Sequence, residues 1–451
     1  MFDLVLKNSF VIDPANNVMS KLNIGITGGR IAAVVSEDLS GQKELDCSGL
    51  VVAPGFIDMH MHEDPINETG MDFDHCISEC MLRMGVTTAI GGNCGLGPAD
   101  PLKYLELADK RGYPVNIGLL SSHDNLRKHF GSFDKYSSIE ETTIIKMREQ
   151  LKKEIEGGTL GLSIGIRYIP GLDTSELRTL CSAAADSGRP IAAHVRDDAG
   201  QVIASIKELT DIAGEVGARI QVSHIGSMAA YGQMEEVLSL IDQLNIEGID
   251  VGLDCYPYSA FATLIGSTTF DDGFLERYDT DYSSLEISQG EFKGKILDQE
   301  TFQKIRNENP EYLMIAHVMR EDEVEIALRH PRTAIASDGM LNQGFGHPRA
   351  AGTFPRILGR YVREKRSLST FEAIQKMTEL PAKRLGISKG RLSIGSDADI
   401  TVFDPAVVVD TADFEHPLNP PVGIKYVIIN GEIALKNGEI ISSGLGRAVR
   451  A

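Results

Sequence analysis

The sequence predicts an α/β protein: a (β/α)8, TIM-like barrel carrying a small accessory β-sandwich domain formed from both chain ends. Apolar, strand-like runs alternate with helical stretches through the middle of the chain. Both ends consist of short strands and tight turns. Several of the middle runs finish in histidine, cysteine or aspartate, at the strand ends where barrel enzymes place their chemistry.

At the N-terminal end, residues 4–6, 22–26 and 28–34 read as strands, and so do residues 399–403 and 426–432 near the other end, with an Asn430-Gly431 turn signal. Neither end can bury a core alone, so residues 1–53 and 390–451 are expected to pair as one β-domain. Residues 54–389 are expected to form the barrel. Its strand candidates are the run before His60, then 85–90, 115–120, 162–164, 191–194, 220–224, 251–254, 312–317 and 333–338. Residues from about 264 to 308 mix Gly, Ser, Asp and aromatics. They stretch one connection well beyond the usual length, as expected of a lid.

The chain has 451 residues, 42% hydrophobic and 24% charged, which suits one large domain and a smaller one. A formal charge of −20 argues against nucleic-acid partners and for a small-molecule substrate. No apolar run approaches a membrane span, and no secretory leader is evident. Six scattered cysteines fit reduced thiols, so the expected location is cytoplasmic. Oligomeric state is left open.

Pro54-Gly55-Phe56-Ile57-Asp58-Met59-His60-Met61-His62 reads as a buried strand ending in two imidazoles at alternate positions. A strand's period of two puts His60 and His62 on one side, suited to a divalent metal. His194 and His224 each close a later apolar strand. Asp338, in Ala336-Ser337-Asp338-Gly339, can touch metal and take a proton from water; the structural alternative is a helix N-cap. Cys94 follows its strand in the turn Gly91-Gly92-Asn93-Cys94-Gly95. A lone strand-end cysteine is usually a small core residue, but beside such a cluster its thiolate is a strong zinc ligand.

These residues, with Gly390-Arg391-Leu392 and Gly395-Ser396-Asp397-Ala398-Asp399, resemble the amidohydrolase superfamily nearly end to end. Hydantoinase-like and dihydroorotase-like members use a modified lysine on a middle strand, and the strands between Cys94 and His194 contain none. The Asn93-Cys94-Gly95 turn is similar to the N-acyl-D-amino-acid deacylase (D-aminoacylase) branch. So are His194-Val195-Arg196-Asp197-Asp198, Asp254-Cys255-Tyr256-Pro257-Tyr258, His347-Pro348-Arg349 and Gly352-Thr353-Phe354-Pro355-Arg356. The resemblance implies zinc held tightly by Cys94, His194 and His224, with His60, His62 and Asp338 lining a second, weaker position. It also implies Asp338 as the proton carrier, and Arg349 with Tyr256 gripping the substrate's α-carboxylate.

Two departures stand out. Gly226 replaces a common lysine, and Arg167 stands where an apolar or aromatic residue is common; it is expected either to face an acidic substrate side chain or to form a helix-facing salt bridge. The competing readings are a cyclic-amide hydrolase or dipeptidase on the same barrel, and a non-catalytic scaffold. His123 and His317 stay unassigned.

Overall fold

The computed structural model describes residues 1–66 and 76–451. Eight parallel strands form a closed barrel. They are Phe56–Asp58, Val86–Gly91, Asn116–Leu119 running on into Ser121–Ser122, Leu162–Gly165, Ile191–His194, Ile220–Val222, Val251–Cys255 and Thr333–Ile335. Every residue in them is buried, which is why they read as continuous apolar runs rather than alternating ones. The helices between them are amphipathic. Thr174–Asp186, for example, is capped by the Asp173 side chain and buries Leu177, Leu180, Cys181 and Ala184 at helical spacing.

The first and last strands meet just beyond their assigned ends. The Asp338 amide donates to the His60 carbonyl and the His62 amide to the Gly339 carbonyl, both at 2.8 Å. Barrel closure therefore sets His60, His62 and Asp338 side by side. Gly55 allows the entry to the first strand to lie close to its neighbour, because a Cβ there would sit 2.0 Å from Thr87 Oγ1.

Both chain ends join one continuous nine-stranded sheet. The long strand Phe2–Asp13 pairs with Val18–Thr27 along one edge. On its other edge it pairs first with Gly41–Asp46 and then with Val51–Pro54, which leads across to Ile400–Phe403 and Ile424–Ile429. Leu4, Leu6, Ile24, Val52, Ile400 and Ile428 share its core. The turn expected at Asn430-Gly431 is present, with both residues at positive φ.

One strand expectation is corrected. Leu313–Ala316, read as a barrel strand, pairs antiparallel with Phe261–Leu264 and Leu285–Ile287 in a small separate sheet. The insertion between Val251–Cys255 and Thr333–Ile335 thus folds around its own strands.

His123 has a structural role. Its Nε2 lies 2.7 Å from Glu176 Oε1, and Arg127 grips the same carboxylate with Nε at 2.8 Å and Nη2 at 2.5 Å. Burial would raise the Glu176 pKa, but Arg127 and His123 hold it down to about 2. An ordinary unfolded carboxyl titrates near ~4.3, so this stabilisation is present above that pH and lost as pH falls toward about 2. Breaking a buried pair costs about 3–5 kcal/mol. Glu176→Gln is therefore expected to lower Tm at pH 7 without removing zinc, and the gap from wild type should narrow below pH ~4. Equal melting curves at pH 7 would refute the clamp. His317, the other unassigned histidine, pairs with Glu286 within the insertion, at 3.1 Å.

Candidate metal centre

The residues singled out at the strand ends converge. Ligand atoms of His60, His62, Cys94 and Asp338 lie within 4.8 Å of one another, and so do those of Cys94, His194 and His224. The two groups share the Cys94 sulfur, which is 3.3 Å from His60 Nε2 and 3.2 Å from His224 Nε2. Asp338 Oδ1 is 3.4 Å from His60 Nε2 and 3.3 Å from His62 Nε2.

Local backbone explains how they reach. Cys94, His224 and Asp338 all adopt left-handed φ, at 54°, 35° and 49°, which is uncommon and strained for residues other than glycine. Each turn is held from outside. The Gly95 amide donates to Ser163 Oγ at 2.8 Å, and Gly165 admits the Cys94 carbonyl, which a Cβ there would approach to 2.1 Å. Asp338 is not a helix N-cap, since the next helix begins at Arg349.

Asp254, given no role of its own by the sequence, braces two of the histidines. Its Oδ1 lies 3.2 Å from His60 Nδ1 and accepts the His224 amide at 2.7 Å. His224 Nδ1 lies 2.9 Å from Ser227 Oγ, whose hydroxyl donates to the His224 carbonyl. Protonation at Nδ1 of His224 satisfies its contact with Ser227 and leaves the Nε2 lone pair facing the cluster, as a metal ligand requires. Beneath, Asp58 Oδ1 accepts the amides of His60 and Ser337, tying first strand to last; burial pushes its pKa up to about 6.

The electrostatics match a cation site. Burial would raise the Cys94 thiol, but the His60 and His224 imidazoles hold it well below a free thiol's range. Burial likewise opposes ionisation of Asp338, and Arg349 beside it holds that carboxyl far below the usual range. Burial depresses His62, yet Asp338 and Cys94 lift it to about 9; His194 falls to about 4, from burial and then from His224. Two buried anions thus face four imidazoles, and a divalent cation can replace the protons they share. His194 Nδ1 is buried with no hydrogen-bond partner among the described residues, an orphan that a metal would satisfy. The donor set fits zinc.

A cavity lies over this cluster. His194, His224 and Asp338 line it, together with Tyr168, Asp198 and Met228 of the barrel. The insertion contributes Phe261, Thr263, Thr269 and Tyr278. Asp198 is a lining residue to which sequence reasoning gave no role, and the adjacent aspartates after His194 were its only signal.

The expected carboxylate clamp is placed differently from the cavity lining. Arg349 is 1% exposed and its Nη1 meets Asp338 Oδ2 at 2.9 Å. Its guanidinium stacks on the Tyr256 ring at 4.6 Å, and Nη2 donates to the Ala262 carbonyl. Arg167 forms a salt bridge, one of its two expected roles: its Nη1 is 2.5 Å from Asp197 Oδ1, and it does not line the cavity. Gly226 is closely packed, where the branch commonly has a lysine. A Cβ there would meet Cys255 Sγ at 3.1 Å and Met319 Cε at 3.2 Å.

A closed parallel barrel with a buried thiolate, imidazole and carboxylate cluster at the carboxyl ends of its strands defines a metal-dependent barrel hydrolase. Comparison with known proteins narrows this. Residues 314–435 match the family described as Amidohydrolase family. The chain is 33% identical to a D-aminoacylase of Alcaligenes xylosoxydans xylosoxydans, covering 95% of this chain and 94% of that protein. It is 30% identical to an N-acyl-D-glutamate deacylase of the same organism, covering 95% and 93%. Among solved structures, N-acyl-D-glutamate deacylase from Bordetella bronchiseptica, complexed with zinc and a phosphonate inhibitor, superposes with a TM-score of 0.89. It is 29% identical over the whole of both chains. The chain belongs to the amidohydrolase family, in the branch of the D-aminoacylases.

Proposed function

We propose that the protein is a zinc-dependent hydrolase of N-acyl-D-amino acids, releasing a carboxylic acid and a free D-amino acid. The observation that carries this reading is the shared Cys94 sulfur, with two imidazoles on one side and a His-His-Asp group on the other, under one cavity. Near-full-length similarity to D-aminoacylase supports it.

In this reading Cys94, His194 and His224 hold zinc, and His60, His62 and Asp338 line a second, weaker position. Zinc, when bound, polarises the acyl carbonyl and acidifies water. Asp338 takes a proton from the water whose oxygen adds to the carbonyl carbon. It returns that proton to the amine nitrogen as the C–N bond breaks. Arg349 takes the α-carboxylate: its Nε is buried without a hydrogen-bond partner among the described residues, a donor free for an anion. Its contact with Asp338 registers that carboxylate against the proton carrier, and stacking on Tyr256 orients the guanidinium. With carboxylate and carbonyl both fixed, only one enantiomer directs its side chain into the cavity.

The test is a panel of N-acetyl-D and N-acetyl-L amino acids, with hydantoin and dihydroorotate alongside, run while zinc content is measured. Turnover of D but not L derivatives is expected. Turnover of the cyclic amides alone would overturn the proposal.

A further inference from the structure

We propose that the Asp198–Arg277 ion pair selects the substrate's side chain, so that the enzyme takes N-acyl-D-amino acids with uncharged side chains and rejects those of D-glutamate and D-aspartate. This rests on the reaction proposed above and adds which side chains it serves.

Among the described residues no lysine or arginine lines the cavity, and its charged wall groups are Asp198 and Asp338. Two guanidinium groups lie just behind the wall, and each is matched to one of two consecutive carboxylates. Arg167, beside the lining residue Tyr168, holds Asp197 at 2.5 Å. Arg277, beside the lining residue Tyr278, places Nε 3.0 Å from Asp198 Oδ1 and donates to the Thr269 carbonyl. The Tyr278 hydroxyl donates to Asp198 Oδ2 at 2.6 Å, and Arg277 stacks on that ring at 4.8 Å. Asp198 is 2% exposed and Arg277 is half-buried, so the carboxylate end of the pair is shielded from water.

An acidic substrate side chain needs an unmatched cation at the end of the pocket. Here the chain's own carboxylate already occupies the place on Arg277 that such a side chain would take. A second carboxylate would be desolvated beside Asp198 with nothing to neutralise it. An uncharged side chain instead lies against Phe261, Met228, Tyr168 and Tyr278. A carboxamide can also donate to the wall oxygens of Asp198 or Thr269. Specificity then comes from an internal ion pair that repels the wrong charge.

The isosteric pair N-acetyl-D-glutamine and N-acetyl-D-glutamate isolates charge from shape, with N-acetyl-D-methionine as an apolar reference. The zinc-loaded wild-type enzyme should favour the glutamine derivative over the glutamate one by about 100-fold in kcat/KM. Asp198→Asn keeps an acceptor for Tyr278 but releases Arg277, so that ratio should fall at least about tenfold. A wild-type ratio near one, or a preference for glutamate, would overturn the proposal while leaving the deacylase reading intact. So would an unchanged ratio in an Asp198→Asn enzyme with normal zinc content and Tm. The wild-type ratio decides the matter if that variant fails to fold. Failure to hydrolyse any of the three D derivatives would overturn the reaction itself, and this inference with it.

Discussion

Cys94→Ala should lose most of its zinc and nearly all of its turnover. The Cys94 sulfur belongs to both ligand groups, so its removal leaves one with two imidazoles and the other without its thiolate. Removing even an outer-shell partner typically costs roughly 10–100-fold in metal affinity, and deleting a thiolate ligand should cost more. The backbone has little reason to move: alanine tolerates the left-handed turn about as well as cysteine, and Ser163 and Gly165 still hold it. Metal loss should therefore appear without global unfolding. Chelation should lower the Tm of wild type and leave the variant unchanged, because a ligand that binds only the folded state stabilises by mass action. Wild-type zinc content with normal turnover in the variant would make Cys94 a structural cysteine.

Much of this architecture was legible because barrel strands leave a one-dimensional trace. A strand buried on both faces must be apolar throughout, so a polar residue at its end stands out against what precedes it. His60, His62, His194 and His224 stand out in the sequence for this reason. The same logic misplaced Leu313–Ala316, since an apolar run of that length looks alike in a parallel barrel and in an antiparallel insertion. Pairings across the barrel had no trace at all. Nothing in the spacing of Asp254 and His60, on non-adjacent strands, announces that one braces the other. Likewise Arg349 read as a substrate ligand, with no sign that its guanidinium rests on Asp338. The left-handed backbone at Cys94, His224 and Asp338 was hinted at only by glycines at 92, 95, 226 and 339. The Arg167–Asp197 salt bridge was one of two open readings, and the structure favours it, since Arg167 pairs with Asp197 and does not line the cavity.

Asp338→Asn should retain the zinc held by Cys94, His194 and His224 yet lose about 10³-fold in kcat, roughly 4 kcal/mol of barrier. Asparagine has nearly the shape of aspartate, and its Oδ1 can still face the His62 ring, 3.3 Å away in the wild type. What it loses is the charge and the ability to take a proton. The surroundings show why a carboxylate is needed there. Arg349 opposes the burial penalty and keeps Asp338 ionised in a site where an isolated carboxyl would become neutral. Ionisation makes it an acceptor, and the zinc-activated water supplies the proton it accepts. The same geometry predicts a divergence between the kinetic constants. With a neutral amide opposite, the Arg349 guanidinium is no longer shared and can bind the substrate's α-carboxylate more fully. KM should thus fall or stay level while kcat collapses, the pattern of a lost transition-state function rather than lost binding. Loss of zinc together with kcat would instead make Asp338 an indispensable ligand, and a near-normal kcat would remove it from the mechanism. Measuring kcat, KM and bound zinc on one preparation separates the three cases, because each moves a different member of that set.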